Sequence, residues 1–174
     1  MKTPLLSVLY VLGTLLVLTL GVGGCASDST VILVRHAEKG PGADPNLTSD
    51  GQQRAQALRD AIDRSGVTAM FVTDTNRTQQ TAAPTATALG ITPVVVPLGN
   101  SAQAHAADVA SRIRARAAGS RTLVVGHSNT VPLIIQELGI SNPPAVAESE
   151  FDRLFVVMRR KNSSTRLIEV KYGN

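Results

Sequence analysis

The feature that most constrains this chain is a pair of short, unbroken aliphatic runs, Val31-Ile32-Leu33-Val34 and Leu123-Val124-Val125. A strand that is apolar on both faces must be covered on both faces, which is the condition of a central strand in a sheet flanked by helices. The residues between and after the runs follow the same logic. From about Ser49 to Arg64, Ala55, Leu58 and Ile62 recur at helical spacing, and Ser49 with Gln52 has the form of a capping box. Met70-Phe71-Val72 reads as a second strand, and Arg77 to Leu89 as a helix stopped by Gly90, with Pro84 predicting a kink or a later start. Pro93 to Pro97 frames a short strand, Ala104 to Ala118 reads as an alanine- and arginine-rich helix, and Thr130 to Leu138 as another helix. Leu154-Phe155-Val156-Val157 and Leu167-Ile168-Glu169-Val170 read as strands joined by a polar turn, a hairpin or an edge pair. Strands alternating with helices predict an α/β domain with a mostly parallel sheet. Aromatic residues make up 3% and tryptophan is absent, so its core must come from Ala, Val, Leu and Ile packed closely.

Both aliphatic runs end in a polar cluster that holds a histidine. Arg35-His36-Ala37-Glu38-Lys39 follows the first, and Gly126-His127-Ser128-Asn129 follows the second. Ligands in open parallel sheets bind beyond the carboxyl ends of the strands, so His36 and His127 are expected to meet at one edge. Arg35 narrows the chemistry, because a guanidinium is a permanently charged, planar fork of donors that matches phosphate oxygens. Arg77 follows the polar exit Thr73-Asp74-Thr75 of the second strand and lies near a helix N-terminus, where backbone amides and the helix dipole also favour an anion.

Four motifs in order carry a resemblance to a known family. Arg35-His36-Ala37 resembles the Arg-His-Gly signature of the histidine phosphatase, or phosphoglycerate mutase-like, superfamily. Leu47-Thr48-Ser49-Asp50-Gly51 resembles its Leu-Thr-x-x-Gly segment, Arg77-Thr78-Gln79-Gln80-Thr81-Ala82 its Arg-x-x-Gln-Thr-Ala segment, and Gly126-His127 its second histidine motif. The resemblance implies a three-layer α/β/α sandwich of phosphoglycerate mutase-like fold and a phosphatase that hydrolyses phosphomonoesters or phosphohistidine. In that mechanism His36 is the nucleophile, transiently phosphorylated, while Arg35, Arg77 and His127 hold the phosphoryl oxygens, with no metal and no cofactor. Ala37 stands where glycine is usual, which is tolerable if its backbone does not need a positive φ. Nearby arginines should lower the pKa of His36 and keep it nucleophilic.

The general acid is less legible. The stretch Gly99 to Asp108, where some relatives place a glutamate, offers only His105 and Asp108, so Asp108 and Glu38 are the candidate acids. Lys39 lies where phytase-like relatives carry a further phosphate-binding arginine, and it joins Ser128 as a candidate substrate contact. Other classes fit worse. Gly126-His127-Ser128-Asn129-Thr130 imitates the Gly-x-Ser-x-Gly elbow of esterases, but its fifth residue is Thr130 and all three histidines precede Ser128, the reverse of the α/β-hydrolase order. No His-Glu-x-x-His cluster exists to bind a catalytic metal. The net charge of +4 is scattered and lacks interleaved aromatic residues, so nucleic acid is not an expected partner. The remaining rival is a membrane-tethered module that binds phosphate or a phosphoester without turning it over.

The N-terminus reads as a targeting segment. Lys2 precedes an uncharged apolar run from Leu5 to Leu20, and Val22-Gly23-Gly24-Cys25 resembles the lipobox of bacterial lipoproteins, with Cys25 as the lipidated residue. The expected organisation is a signal peptide over 1–24, a short tether over 25–29 and one catalytic domain over 30–174. As the only cysteine, Cys25 leaves no intramolecular disulfide available. The expected protein is an exported monomer, lipid-anchored to a bacterial cell membrane or outer membrane. A phosphorylated small molecule, envelope glycan or protein is its expected substrate.

Overall fold

A six-stranded sheet orders the molecule, and its strand sequence β3-β2-β4-β1-β5-β6 places the two aliphatic runs side by side at its centre. The computed structural model describes residues 28–160 and 163–173. The expected signal peptide and Cys25 lie outside the described residues. The elements in chain order are β1 (Ser29–Arg35), α1 (Ser49–Ile62), β2 (Ala69–Val72), α2 (Asn76–Leu89), β3 (Val94–Val95), α3 (Ala102–Arg114), β4 (Arg121–Gly126), α4 (Thr130–Glu137), β5 (Arg153–Arg159) and β6 (Arg166–Lys171). Strands β1 to β4 are mutually parallel, whereas β5 runs antiparallel to β1 and β6 antiparallel to β5. The mostly parallel α/β architecture is therefore as the alternation of elements implies, and the last two strands form an edge pair.

Alternation along the central strands builds both halves of the core. On β1, Val31 and Leu33 face a layer that includes Val109 and Ile113 of α3 and Ile134 and Ile135 of α4. Ile32 and Val34 face the opposite layer, with Leu58 and Ile62 of α1 and Ala82 and Ala86 of α2. Each central strand thus buries side chains both ways, and removing water from both faces supplies the dominant stabilisation. Among the described residues, no helix is long and apolar enough to cross a membrane.

Local details depart from expectation in three places. The cap of α1 is Thr48, whose hydroxyl accepts from the Gly51 amide at 3.1 Å, while Ser49 is already helical and exposed, so the Ser49–Gln52 capping box does not form. Pro84 lies inside α2 without delaying its start, because the helix begins at Asn76 and runs on to Leu89. Helix α3 begins at Ala102, two residues earlier than predicted, because Ser101 caps it through the Ala104 amide, and it ends at Arg114 rather than Ala118. Gly90 closes α2 at φ 63°, the left-handed conformation that glycine adopts without a Cβ penalty.

Candidate active site

Parallel pairing brings the histidines together. The register of β1 on β4 ends at Arg35 opposite Gly126, so His36 and His127 are the next residues on adjacent strands. Adjacent strands lie about 4.8 Å apart, and the two imidazole centroids are 5.3 Å apart in an edge-on arrangement with an interplanar angle of 64°. The His36 amide donates to the Gly126 carbonyl at 2.9 Å, which closes the strand ends on each other. The three histidine and arginine positions at these ends are buried, with Arg35, His36 and His127 at 3%, 3% and 6% exposure.

The motif residues act as scaffolding around this pair. Thr81 accepts from the Ala37 amide at 2.9 Å and donates to the Arg77 carbonyl at 2.7 Å, tying the backbone after His36 to the first turns of α2. Gln80 accepts from the Leu47 amide and donates to Asn46, both at 2.8 Å. The Thr48 amide donates to the Glu38 carbonyl at 3.0 Å, and a Cβ at Gly51 would stand 2.1 Å from that same carbonyl oxygen, so only glycine allows α1 to dock there. Among the described residues no side-chain-bearing residue has a positive φ, so Ala37 serves where a glycine is usual.

Arg35 and Arg77 flank the histidines. The Arg35 guanidinium lies 4.2 Å from the Phe151 ring centroid, and its Nη1 donates to the Ala147 carbonyl at 2.8 Å. Its Nη2 pairs with Glu148 Oε2 at 2.7 Å. Arg77 Nη2 lies 3.4 Å from His127 Nδ1, and its Nη1 lies 3.6 Å from Asp44 Oδ1. Among the described residues, neither guanidinium's buried Nε has a hydrogen-bond partner.

Burial, more than the arginines, sets the protonation of the histidines. It lowers His36 to about 4, with Arg35, Arg77 and Lys39 adding to the effect and a bond to the Ala37 carbonyl opposing it. It lowers His127 to about 3, helped by Arg77, His36, His105 and Arg35. The arginines thus act in the expected direction but as the smaller cause. The neutral His36 ring donates from Nδ1 to the Ala37 carbonyl at 2.8 Å, leaving the lone pair on Nε2. A neutral imidazole with a free Nε2 is a nucleophile ready at neutral pH.

The remaining candidates are dispersed. Ser128 and Lys39 stay near the histidines, with the Ser128 hydroxyl donating to Glu148 Oε1 and Lys39 exposed in the loop after His36. Glu38 is held by Arg54 at 2.7 Å, and Arg54 also donates to the Tyr172 and Gly173 carbonyls, so Glu38 is engaged in an ion pair that ties α1 to the C-terminal segment. Asp108 pairs with Arg112 at 2.9 Å on the exposed face of α3. His105 is buried and donates from Nδ1 to the Pro97 carbonyl at 3.0 Å.

Glu148, Phe151, Asp44 and Thr73 belong to the site although the sequence reading did not select them. Glu148 and Phe151 precede β5, and because β5 is antiparallel to β1 its beginning meets the end of β1, with Leu154 opposite Val34. An antiparallel partner for the first strand is the signal that would have placed this loop over His36. Ser128 and Arg35 hold the Glu148 carboxyl below the usual carboxylate range.

Comparison with known proteins agrees with this geometry. Residues 31–98 match the histidine phosphatase superfamily (branch 1). A PE-PGRS family protein, PE_PGRS11 of Mycobacterium tuberculosis, is 43% identical over 75 residues, which are 42% of this chain and 12% of that protein. The match is therefore to a segment of a longer relative. The structure of the protein histidine phosphatase SixA complexed with tungstate superposes with a TM-score of 0.62 at 16% identity, covering 82% of this chain and 96% of that one. Phosphoglycerate mutase from Plasmodium falciparum superposes with a TM-score of 0.59 at 16% identity, covering 83% and 91%. The fold is phosphoglycerate mutase-like.

Proposed function

We infer that this chain is a phosphatase of the histidine phosphatase superfamily, working through a phosphohistidine on His36. One observation carries the reading: the Arg35 and Arg77 guanidinium groups flank a buried, neutral histidine whose Nδ1 donates to the Ala37 carbonyl and whose Nε2 lone pair is free. The match of residues 31–98 to the superfamily supports it. In the first step His36 Nε2 forms a bond to phosphorus as the bond from phosphorus to the ester oxygen breaks, and the departing oxygen takes its proton from solvent water. In the second, water attacks the phosphohistidine, the nitrogen–phosphorus bond breaks, and inorganic phosphate leaves. Arg35, Arg77 and His127 hold the equatorial oxygens through both steps, a charge-stabilising role that fixed donors in a buried site perform well. Two guanidinium groups supply the positive charge that a metal would otherwise provide, so turnover is expected to survive chelation by EDTA.

Leaving-group chemistry narrows the substrate. Glu38 and Asp108 are engaged elsewhere, and Glu148 is held ionised by Ser128 and Arg35. Esters and phosphoramidates whose leaving groups depart without a strong acid are favoured, aryl phosphates and phosphohistidine among them. The described chain begins at Asp28, and β1 carries it across the sheet from Ser29 to Arg35, roughly 20 Å at the rise of an extended strand. A lipid at Cys25 would thus hold the domain close to a bilayer with the histidines at the far edge, facing soluble or envelope-borne phosphates outside the cytoplasm. Release of phosphate from p-nitrophenyl phosphate by the wild type and not by His36→Ala tests the reading. Tight tungstate binding with no turnover would make the protein a binding module instead.

A further inference from the structure

His127 is held at both ring nitrogens by groups of different chemistry. Its Nε2 lies 3.0 Å from Thr73 Oγ1 and its Nδ1 lies 3.4 Å from Arg77 Nη2. A guanidinium offers donors and no acceptor, so the nitrogen beside it carries the lone pair, and the single proton of the neutral ring sits on Nε2 and is donated to Thr73. Thr73 can accept because its own proton has somewhere to go. Its hydroxyl lies 2.8 Å from Thr78 Oγ1 and 3.1 Å from Thr75 Oγ1, and Thr78 in turn donates to the Thr75 carbonyl at 3.0 Å. Thr73 and Thr78 are 1% and 0% exposed, so bulk water does not compete for these bonds.

We propose that Thr73, backed by Thr75 and Thr78, is the positioning residue that fixes His127 in its Nε2–H form, leaving Nδ1 beside Arg77 to meet the phosphoryl group. This deepens the phosphatase reading and rests on it for its effect on turnover. A phosphoryl oxygen that arrives protonated can pass its proton to Nδ1, breaking the O–H bond and forming an N–H bond. The imidazolium then donates from both nitrogens, one to Thr73 and one to the phosphoryl oxygen. Without the Thr73 hydroxyl the Nε2 proton has no acceptor, and the longer 3.4 Å approach of Arg77 to Nδ1 does not by itself hold the ring, so the proton can exchange between nitrogens and the ring can turn.

The test is the ¹⁵N spectrum of ring-labelled histidines at neutral pH, in a chain with only three histidines to assign. His127 should show a pyrrole-type nitrogen at Nε2 and a pyridine-type nitrogen at Nδ1 in the wild type and in Thr73→Ser, and averaged shifts in Thr73→Val. Thr73→Val should lose about tenfold to hundredfold in kcat on p-nitrophenyl phosphate, the scale known for removing the partner that orients a metal-bound histidine, with recovery in Thr73→Ser. A wild-type His127 protonated at Nδ1 would overturn the proposal without need of any variant, as would a Thr73→Val protein that keeps the wild-type tautomer. If the tautomers follow expectation but the wild type releases no phosphate, Thr73 keeps its role and the phosphatase reading falls. Turnover with a tautomer indifferent to Thr73 does the reverse.

Discussion

His36 and His127 end adjacent strands, share one buried edge and are both neutral, yet they are held in opposite ways. The main chain holds His36, through the carbonyl of the very next residue, and leaves its Nε2 free. Side chains hold His127, with Thr73 from the end of β2 on Nε2 and Arg77 from α2 near Nδ1. A nucleophile must have a fixed lone pair whatever surrounds it, and a backbone carbonyl cannot be lost by substitution. A ligand-binding histidine can be tuned by its neighbours. The contrast teaches that the first histidine is specified by the local path of the chain and the second by the packing of two other elements against it.

Substitutions break this contrast in a graded way. His36→Ala should abolish turnover while leaving tungstate binding measurable by calorimetry, because the arginines remain. Arg77→Ala removes a charge-assisted contact and should cost about 2–4 kcal/mol of transition-state stabilisation, a drop of roughly a hundredfold in kcat/KM on p-nitrophenyl phosphate. Wild-type kinetics for that variant would place Arg77 outside the reaction.

Acid should expose both histidines. Their folded values of about 4 and about 3 lie below the unfolded 6.5, so between these limits the unfolded chain binds more protons and stability rises with pH. The contribution is complete above 6.5 and is lost as pH falls through about 4 and about 3. Urea denaturation at pH 7 and pH 5 should show His36→Gln losing less stability on acidification than the wild type, by about 2 kcal/mol. An equal loss in both would show that His36 titrates normally. The smallest effect belongs to Glu148, whose exposed carboxylate competes with an oxyanion for Arg35. Glu148→Gln should tighten tungstate about two- to fivefold, the scale of an exposed ion pair, and weaker binding would show that Glu148 assists the anion.

Much of this was legible in the sequence because burial on both faces writes itself into a strand. Val31 to Val34 and Leu123 to Val125 could be nothing but central, and parallel neighbours must end at one edge, which brings His36 and His127 together without any structure. Arg77 was found through its place at a helix start and the motif around it. The cap at Thr48 was misplaced by one residue because Ser49 is as good a capping residue by type, and only the docking of α1 on the Glu38 carbonyl decides between them. Glu38 and Asp108 share the chemistry of an acid, but their partners Arg54 and Arg112 are contacts that spacing alone did not reveal. Glu148 and Phe151 depend on β5 pairing antiparallel to β1, a long-range choice that no local pattern records.

The central claim is that His36 forms the covalent intermediate, and trapping that intermediate tests it most directly. The wild type should be mixed with p-nitrophenyl phosphate, quenched in base within the first turnovers, digested and read by mass spectrometry. The account predicts a phosphoryl group on the peptide containing His36, stable in base, lost in acid and absent from His36→Ala. Turnover with an unmodified His36 peptide, or with the phosphoryl group on another residue, would contradict it.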